Sequence, residues 1–172
     1  MGFAPHLSVR ETEELLKPVV FLRIASILTL IHAILHTVGG VFGKPPSGTA
    51  AMVAATMRGY RFQVFGLTRS YADFYLGLGL GITILLTMEA IVFWMLASIA
   101  KSDSARLRPV LAVFLVGYLA FAVNSYLFFF YGPVVAELVI AGCLAGAIFT
   151  AKPATESQLQ SAARVKALIP NP

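Results

Sequence analysis

Long apolar segments separated by short polar stretches dominate this chain. Four of them can cross a bilayer as helices, because about 20 residues rising about 1.5 Å each span a hydrocarbon core of roughly 30 Å. The strict alternation of apolar and polar residues typical of transmembrane barrel strands is absent. The predicted spans are residues 18–42, 71–100, 109–131 and 133–150, and Gly132-Pro133 is expected to form a tight turn between the last two.

Three further segments surround these spans. Residues 8–17, with SVRETEELL, are predicted to form an amphipathic helix at the membrane surface, and their glutamates argue against a cleaved signal peptide. Residues 43–70 form the longest connection; KPPSG ends the first span, and Ser47 or Thr49 can cap a short helix after it. Residues 151–172 are predicted to be a solvated tail. The expected fold is all-α, a polytopic membrane protein whose single domain is a four-transmembrane-helix bundle with an outer amphipathic loop segment.

Composition supports the bilayer as solvent. Hydrophobic residues make up 58% of the 172 residues and charged residues only 12%, about half of the usual charged share of roughly 25%. The single Cys143 excludes an internal disulfide and any CxxC motif, and it is expected to be a small packing residue.

The basic residues predict an orientation. The net charge is +5, but no basic stripe with interleaved aromatic residues is present, so no nucleic-acid partner is expected. Lys44, Arg58, Arg61 and Arg69 lie on one side of the predicted spans, and the remaining Lys and Arg lie on the other. That excess places both termini in the cytoplasm. The residues on the cytoplasmic side are Arg10, Lys17, Arg23, Lys101, Arg106, Arg108, Lys152, Arg164 and Lys166.

A few polar side chains interrupt the apolar spans. Placing an ionisable group in a bilayer costs about 2.5–3.5 kcal/mol on insertion scales, so each group needs a partner or a purpose. Counted along the helices, all but Glu89 fall in the outer half of the bundle. We therefore predict that they converge on an outward-opening site. The side chains concerned are His32, His36, Glu89, Asn124 and Glu137, with Asp73 at the outer rim.

His32 and His36 are one helical turn apart and share a face. Three roles stay open for them: hydrogen bonding between helices, small-ligand or proton chemistry, and binding of a metal ion that a carboxylate would complete. A bis-histidine haem is not favoured, because its ligands must approach from opposite faces of the porphyrin. Glu89 is expected to be a neutral acid bonded to a helix carbonyl, or else a proton carrier or a ligand for an amine.

The second span begins with GLGLG. Gly77 and Gly81 form a GxxxG pair with Asp73 one turn earlier, which favours close helix packing over a groove for a lipid tail. Trp94 and the aromatic run 126–131 are expected at the two membrane interfaces. The basic, aromatic connection 43–70 is predicted to be a lid or a headgroup-level anchor.

The region from Arg23 to Ala100 resembles an uncharacterised family of small bacterial membrane proteins. The resemblance rests on His36-Thr37-Val38-Gly39 and on an MR…F…G..RSY.DFY.G.G pattern; Ala72 stands where members often carry Trp. It implies four spans in the bacterial inner membrane and directs attention to His36, Arg58, Arg69 and Asp73. The residues of the second pattern are Met57, Arg58, Phe62, Gly66, Arg69, Ser70, Tyr71, Asp73, Phe74, Tyr75, Gly77 and Gly79.

A looser similarity in size links the chain to DoxX-like proteins and to sterol-isomerase and sigma-2-receptor-like bundles. That similarity implies binding of a quinone or a sterol between the helices.

Three functions follow as hypotheses. The first is binding of a lipid-like or small apolar ligand. The second is a membrane enzyme, or a redox or metal protein, that uses His32 or His36 with a carboxylate. The third is a structural or accessory subunit, whose partners would be the lipid bilayer and other copies or membrane proteins. For the first hypothesis the ligand-binding residues are predicted to be His36, Asn124, Glu137, Arg58, Arg69 and Asp73.

Overall fold

The computed structural model describes residues 9–45 and 47–153, with side chains from Lys17 onward. The described chain is helical apart from one short hairpin. Its elements are α1 (Val9–Leu35), a π-helical continuation (His36–Val41), α2 (Thr49–Gly59), β1 (Arg61–Val64), β2 (Leu67–Ser70), α3 (Tyr71–Asp103), a 3-10 turn (Ala105–Leu107), α4 (Arg108–Phe128) and α5 (Tyr131–Thr150).

Four helical segments are long and apolar enough to cross a membrane, which confirms the predicted all-α, polytopic membrane class. They are Lys17–Val41, Tyr71–Asp103, Ala105–Phe128 and Tyr131–Thr150.

The helix ends differ in detail from the predicted boundaries. Helix α1 runs without a break through the buried Pro18, where the sequence placed a boundary between a surface helix and a span. The chain reverses between α4 and α5 at Phe129 and Phe130 rather than at Gly132-Pro133. Pro133 instead lies in the first turn of α5, where a proline is tolerated because the backbone N–H groups there have no intrahelical acceptor. The predicted tail helix lies outside the described residues.

The connection between α1 and α3 contains two elements. Helix α2 begins after Gly48, whose φ of 76° is left-handed, and no side chain caps it, so neither Ser47 nor Thr49 fills the predicted role. Strands β1 and β2 then pair antiparallel, with Arg61 opposite Ser70 and Val64 opposite Leu67. This hairpin was not predicted from the sequence.

The chain divides into two compact units, of which one combines the chain up to Leu28 with the chain from Ala90 onward. In this unit the beginning of α1, the end of α3, and helices α4 and α5 share one apolar core. Gly146 of α5 permits a close approach, because a Cβ at this position would lie 2.8 Å from the Phe21 ring. The core residues are Val19, Leu22, Ala25, Phe93, Ala97, Ala100, Leu107, Leu111, Tyr118, Ile140, Ala141, Leu144 and Ala147.

Polar contacts fix the ends of the helices in this unit. The Ser104 hydroxyl donates to the Lys152 carbonyl (3.1 Å) and accepts from the Lys152 N–H (2.9 Å). The Arg108 guanidinium donates to the Ala151 carbonyl at 2.6 Å. These bonds satisfy carbonyls just beyond the C-terminus of α5, and the cation is also favoured there by the helix dipole. The start of α4 is thereby tied to the end of α5.

Arg23 enters the apolar part of α1 with two partners on α3. Its guanidinium carbon lies 3.4 Å from the centroid of the Trp94 ring, and one terminal nitrogen donates to the Ser98 hydroxyl at 3.1 Å. A cation over an aromatic face contributes about 0.5–2 kcal/mol, more when it is desolvated. Trp94 therefore packs against a cation of its own chain, in addition to the interface role predicted from its position.

The second unit runs from Thr29 to Glu89. It contains the end of α1 with its π-helical continuation, α2, the hairpin and the first half of α3. Four aromatic rings contact one another where the hairpin meets the start of α3: Tyr60, Phe62, Tyr71 and Phe74.

Candidate functional site

Glu137 is the most deeply buried ionisable side chain predicted for the site. It lies on α5 and is 6% exposed. One carboxyl oxygen accepts a hydrogen bond of 2.9 Å from the hydroxyl of Ser125 on α4. Ser125 is itself buried, with 4% of its surface exposed. The other oxygen, Oε2, is buried and has no partner among the described residues. One oxygen of this buried carboxyl group therefore has no hydrogen bond within the described chain.

An apolar groove lies on the α4–α5 hairpin, in the half that contains this pair. Its volume is about 290 Å³, at the lower end of the usual range of about 300–1,000 Å³ for ligand pockets. Neither Ser125 nor Glu137 lines the groove. Each precedes a lining residue, Tyr126 or Leu138, so the carboxyl group lies at the height of the groove along the helices but on a different face. The lining residues are Leu119, Ala122, Val123, Tyr126, Val134 and Leu138.

Asn124, also predicted for the site, is exposed on α4. Its neighbour Ser125, rather than Asn124, bonds to Glu137. Successive helical residues are about 100° apart around the axis, so Asn124 and Ser125 present different faces of α4.

His36 lies at the start of the π-helical segment and packs against α3. Its Nε2 is 3.1 Å from the carbonyl oxygen of Gly79. Because a carbonyl can only accept, the Nε2 atom carries the proton in this contact. The contact is a hydrogen bond between helices, which is one of the three roles that the sequence leaves open for this histidine.

The next residue strengthens the same contact. The Thr37 hydroxyl donates to the Ala33 carbonyl at 2.6 Å and lies 2.9 Å from the hydroxyl of Thr83 on α3. The Thr83 hydroxyl also lies 3.2 Å from the Gly79 carbonyl. Polar groups of the π-helical segment and α3 thus bond to each other, as side chains do between helices in a bilayer.

Gly79 makes this contact possible. A Cβ at Gly79 would lie 3.0 Å from the Cγ2 atom of Val41, whereas a Cβ at Gly77 or Gly81 would meet nothing within 4 Å among the described atoms. The sequence analysis assigned close packing to the GxxxG pair Gly77 and Gly81. The structure places the middle glycine of GLGLG at the contact instead.

His32 is partly buried, and its Nδ1 has no hydrogen-bond partner among the described residues. The described chain contains no group of three His, Cys, Asp or Glu side chains that could hold a metal ion. A metal held by His32 and His36 would therefore need ligands from elsewhere. Glu89 is partly buried on α3, and Cys143 is a partly buried free thiol packed against the core, in line with the packing role expected for it.

Asp73 closes a capping box at the start of α3. Its Oδ2 accepts hydrogen bonds from the backbone N–H of Ser70 (2.8 Å) and from the Ser70 hydroxyl (2.9 Å), and the Ser70 hydroxyl accepts from the Asp73 N–H. A reciprocal pair of this kind satisfies N–H groups that have no partner within the helix. This capping explains Ser and Asp in the R-S-Y-x-D-F-Y stretch on local structural grounds.

The two arginines predicted at the rim are exposed. Arg58 lies in the last turn of α2, and Arg69 lies on β2, where its guanidinium donates to the neighbouring Thr68 carbonyl. Both belong with His36 and Asp73 to the unit from Thr29 to Glu89, whereas Asn124 and Glu137 belong to the other unit. Convergence of all six residues on one site therefore stays a prediction.

Sequence reasoning missed Ser125 as the partner of Glu137. Distance from the reversal does not select it: Ser125 lies four residues before Phe129, and Glu137 lies seven residues after Phe130. By that measure Asn124 matches the height of Glu137 no worse, so only the packing of the two helices distinguishes Ser125.

No protein-family profile, curated protein or solved structure matches the chain. The resemblance drawn from the sequence motifs therefore names no family for this protein. What the structure supports is the coarser class, a polytopic membrane protein with four apolar helices.

We predict that Gly79→Ala lowers the free energy of unfolding by about 1–3 kcal/mol, since the added methyl group would press on the branched Val41 side chain. Gly77→Ala and Gly81→Ala are matched controls: with open space around them they are expected to leave stability unchanged or raise it by up to about 1 kcal/mol. The measurement is unfolding by sodium dodecyl sulfate in mixed micelles. Val41→Ala should restore part of the loss, and a Gly79→Ala variant as stable as Gly81→Ala would contradict the contact.

Proposed function

We propose that this membrane protein binds an apolar molecule carrying one hydroxyl group, with its body in the α4–α5 groove and its hydroxyl at Glu137. The observation that carries the proposal is the buried Oε2 atom of Glu137, which has no partner among the described residues. A buried polar atom left without a partner costs about 1–3 kcal/mol, and more if it is charged. A bound hydroxyl group would remove that cost.

The choice of a hydroxyl follows from the chemistry of the carboxyl group. As a carboxylate, Glu137 offers an acceptor at its unbonded oxygen; as a neutral acid it can offer an O–H donor there. A hydroxyl group both donates and accepts, so it fits either protonation state. A ketone, which only accepts, or an ammonium group, which only donates, would fit only one of the two.

The groove supports an apolar body for the ligand. All six lining side chains are apolar apart from the hydroxyl of Tyr126, and the volume of about 290 Å³ suits a short hydrocarbon chain or a small ring system. Binding here would place an apolar surface against Leu119 and Leu138 and remove both from contact with bulk lipid. Ser125 would hold the carboxyl group in position through its own hydrogen bond.

The predicted arrangement in the membrane is part of this proposal. The excess of Lys and Arg favours both termini in the cytoplasm, which would make the groove open toward the outer half of the bilayer. The motif resemblance adds the bacterial inner membrane as the proposed location. Neither Asn124 nor His36 is needed for the groove site, and their roles toward a ligand stay predictions.

The ligand site can be tested with tetradecanol and tetradecane, which differ by one hydroxyl group. We expect native mass spectrometry to show tighter binding of the alcohol, and Glu137→Leu to weaken alcohol binding about tenfold with little effect on the alkane, since a hydrogen bond contributes about 1–1.5 kcal/mol.

The groove itself has a matched pair of variants on α4. Val123→Phe fills the groove, whereas Val116→Phe adds the same ring seven residues earlier on the same face, at a position that is 66% exposed and does not line the groove. Only Val123→Phe should displace the alcohol. Equal binding of alcohol and alkane, or equal effects of the two Phe variants, would contradict the proposal.

The orientation has a separate test. In a Cys143→Ser background, we expect a cysteine at Lys101 to react with a membrane-impermeant maleimide only after the cytoplasmic side is opened, and a cysteine at Thr49 to react in intact cells. Both positions are exposed. The reverse pattern would contradict cytoplasmic termini.

A further inference from the structure

The turn of the β-hairpin carries an unusual residue. Phe65 and Gly66 form its two-residue turn, with φ angles of 47° and 82°, so both central residues are left-handed as in a type I′ turn. Asn, Asp and Gly are favoured there, whereas a residue with a bulky side chain is strained by about 1–2 kcal/mol. Phe65 is also fully exposed, at 103%. An aromatic side chain that is fully exposed among the described residues, on a strained backbone, is suited to contact another molecule.

The connection that carries this ring is basic. The connection 43–70 contains no Asp or Glu, and its four cations are all exposed. The next carboxylate along the chain, Asp73, accepts the hydrogen bonds of the Ser70 cap. Arg61 and Arg69 lie within electrostatic reach of this carboxylate, so it offsets part of their charge, but cations still outnumber it. The exposed cations are Lys44, Arg58, Arg61 and Arg69.

The hairpin stands directly on a helix that can cross the membrane. Strand β2 ends at Ser70 and α3 begins at Tyr71, without an intervening linker. The capping box fixes this junction, and the ring of Phe62 on β1 packs 5.0 Å from that of Tyr71 and 5.8 Å from that of Phe74. With its base held at the end of α3, the hairpin is expected at one membrane surface, at or beyond the level of the lipid headgroups.

Arginine and aromatic side chains are both favoured at that level. Tyr and Trp rings are enriched where the hydrocarbon meets the headgroups, and basic residues are attracted to anionic lipids. Strand residues alternate between the two faces of the hairpin, so Arg61 and Arg69 project on opposite faces, because Arg69 pairs with Phe62 and not with Arg61. A phosphate on either side of the hairpin can therefore meet a guanidinium group.

We infer that the hairpin Arg61–Ser70 binds the phosphate groups of anionic phospholipids in the leaflet that it adjoins. In this arrangement Phe65 inserts below the phosphates, and Arg61 and Arg69 donate hydrogen bonds to phosphate oxygens on the two faces, in the planar geometry that guanidinium groups offer. This site shares no residue with the α4–α5 groove and does not depend on the function proposed above.

The position of the tip can be measured by tryptophan fluorescence. Phe65→Trp in a Trp94→Phe background gives a chain whose one tryptophan lies at the tip. In nanodiscs of phosphatidylcholine and phosphatidylglycerol, we expect blue-shifted emission and strong quenching when the lipids carry bromine on the upper acyl chain. Phe149→Trp in the same background is the positive control, because Phe149 is 85% exposed within the apolar helix α5.

Retention of anionic lipid tests the arginines. We expect Arg61→Gln and Arg69→Gln each to lower the phosphatidylglycerol retained in native mass spectra about fivefold relative to phosphatidylcholine. Lys101→Gln, an exposed cation at the end of α3, is the matched control and should change the ratio little.

Phe65→Gly separates lipid contact from folding. Glycine adopts a left-handed turn without strain, so this variant should unfold no more easily than the parent while it retains less phosphatidylglycerol. Red-shifted, unquenched emission from the Phe65→Trp side chain would show that the tip lies in water, and it would overturn the inference. A tip that docks onto a soluble protein would also escape quenching by brominated lipid. Phosphatidylglycerol ratios for the Arg61 and Arg69 variants that match the Lys101 control would overturn the inference as well.

Discussion

The absence of water in the bilayer is the constraint on which this structure depends. Inside the hydrocarbon, a polar group bonds within the protein or loses several kcal/mol. Within each helix, the backbone N–H and C=O groups bond to each other. Hydroxyl side chains also bond within their helix: those of Thr87 and Thr150 donate to the carbonyls four residues earlier. Ser26 of α1 instead donates to the Ala90 carbonyl of α3 at 2.6 Å, with both residues buried. A bond of this second kind, between two helices, fixes one helix against the other at a defined height.

The same constraint distinguishes the polar side chains that have a hydrogen-bond partner from those that lack one among the described residues. Glu137 satisfies half of its carboxyl group through Ser125 and leaves the other half without a partner in the described chain. His36, in contrast, finds a carbonyl where Gly79 lets the π-helical segment approach. Glu137 is therefore a stronger candidate for contact with a ligand than His36, whereas Nδ1 of His32 is, like Oε2 of Glu137, buried without a partner among the described residues. At the hairpin, Arg61 and Arg69 are exposed.

Much of the fold could be predicted from the sequence because apolar length and helical rise alone set the number of spans. The helix at Thr49–Gly59 was also expected from the sequence, although the side-chain cap predicted at Ser47 or Thr49 is absent. The hairpin could not be predicted, since RFQV and LTRS are short and their turn, Phe-Gly, lacks the usual Asn or Asp. The sequence also did not determine which face of α4 points inward. The depth of Asn124 along the helix could be calculated, but the choice between Asn124 and Ser125 as the inward residue depends on how α4 and α5 pack.

The most direct test of the account is a double-mutant cycle on Ser125 and Glu137. The free energy of unfolding in mixed micelles would be measured for the parent, Ser125→Ala, Glu137→Leu and the double variant. If a specific hydrogen bond between α4 and α5 holds the buried carboxyl group, the two substitutions should be coupled by about 0.6–1.7 kcal/mol, as for polar contacts between other membrane helices. Additive effects, with no measurable coupling, would contradict the account.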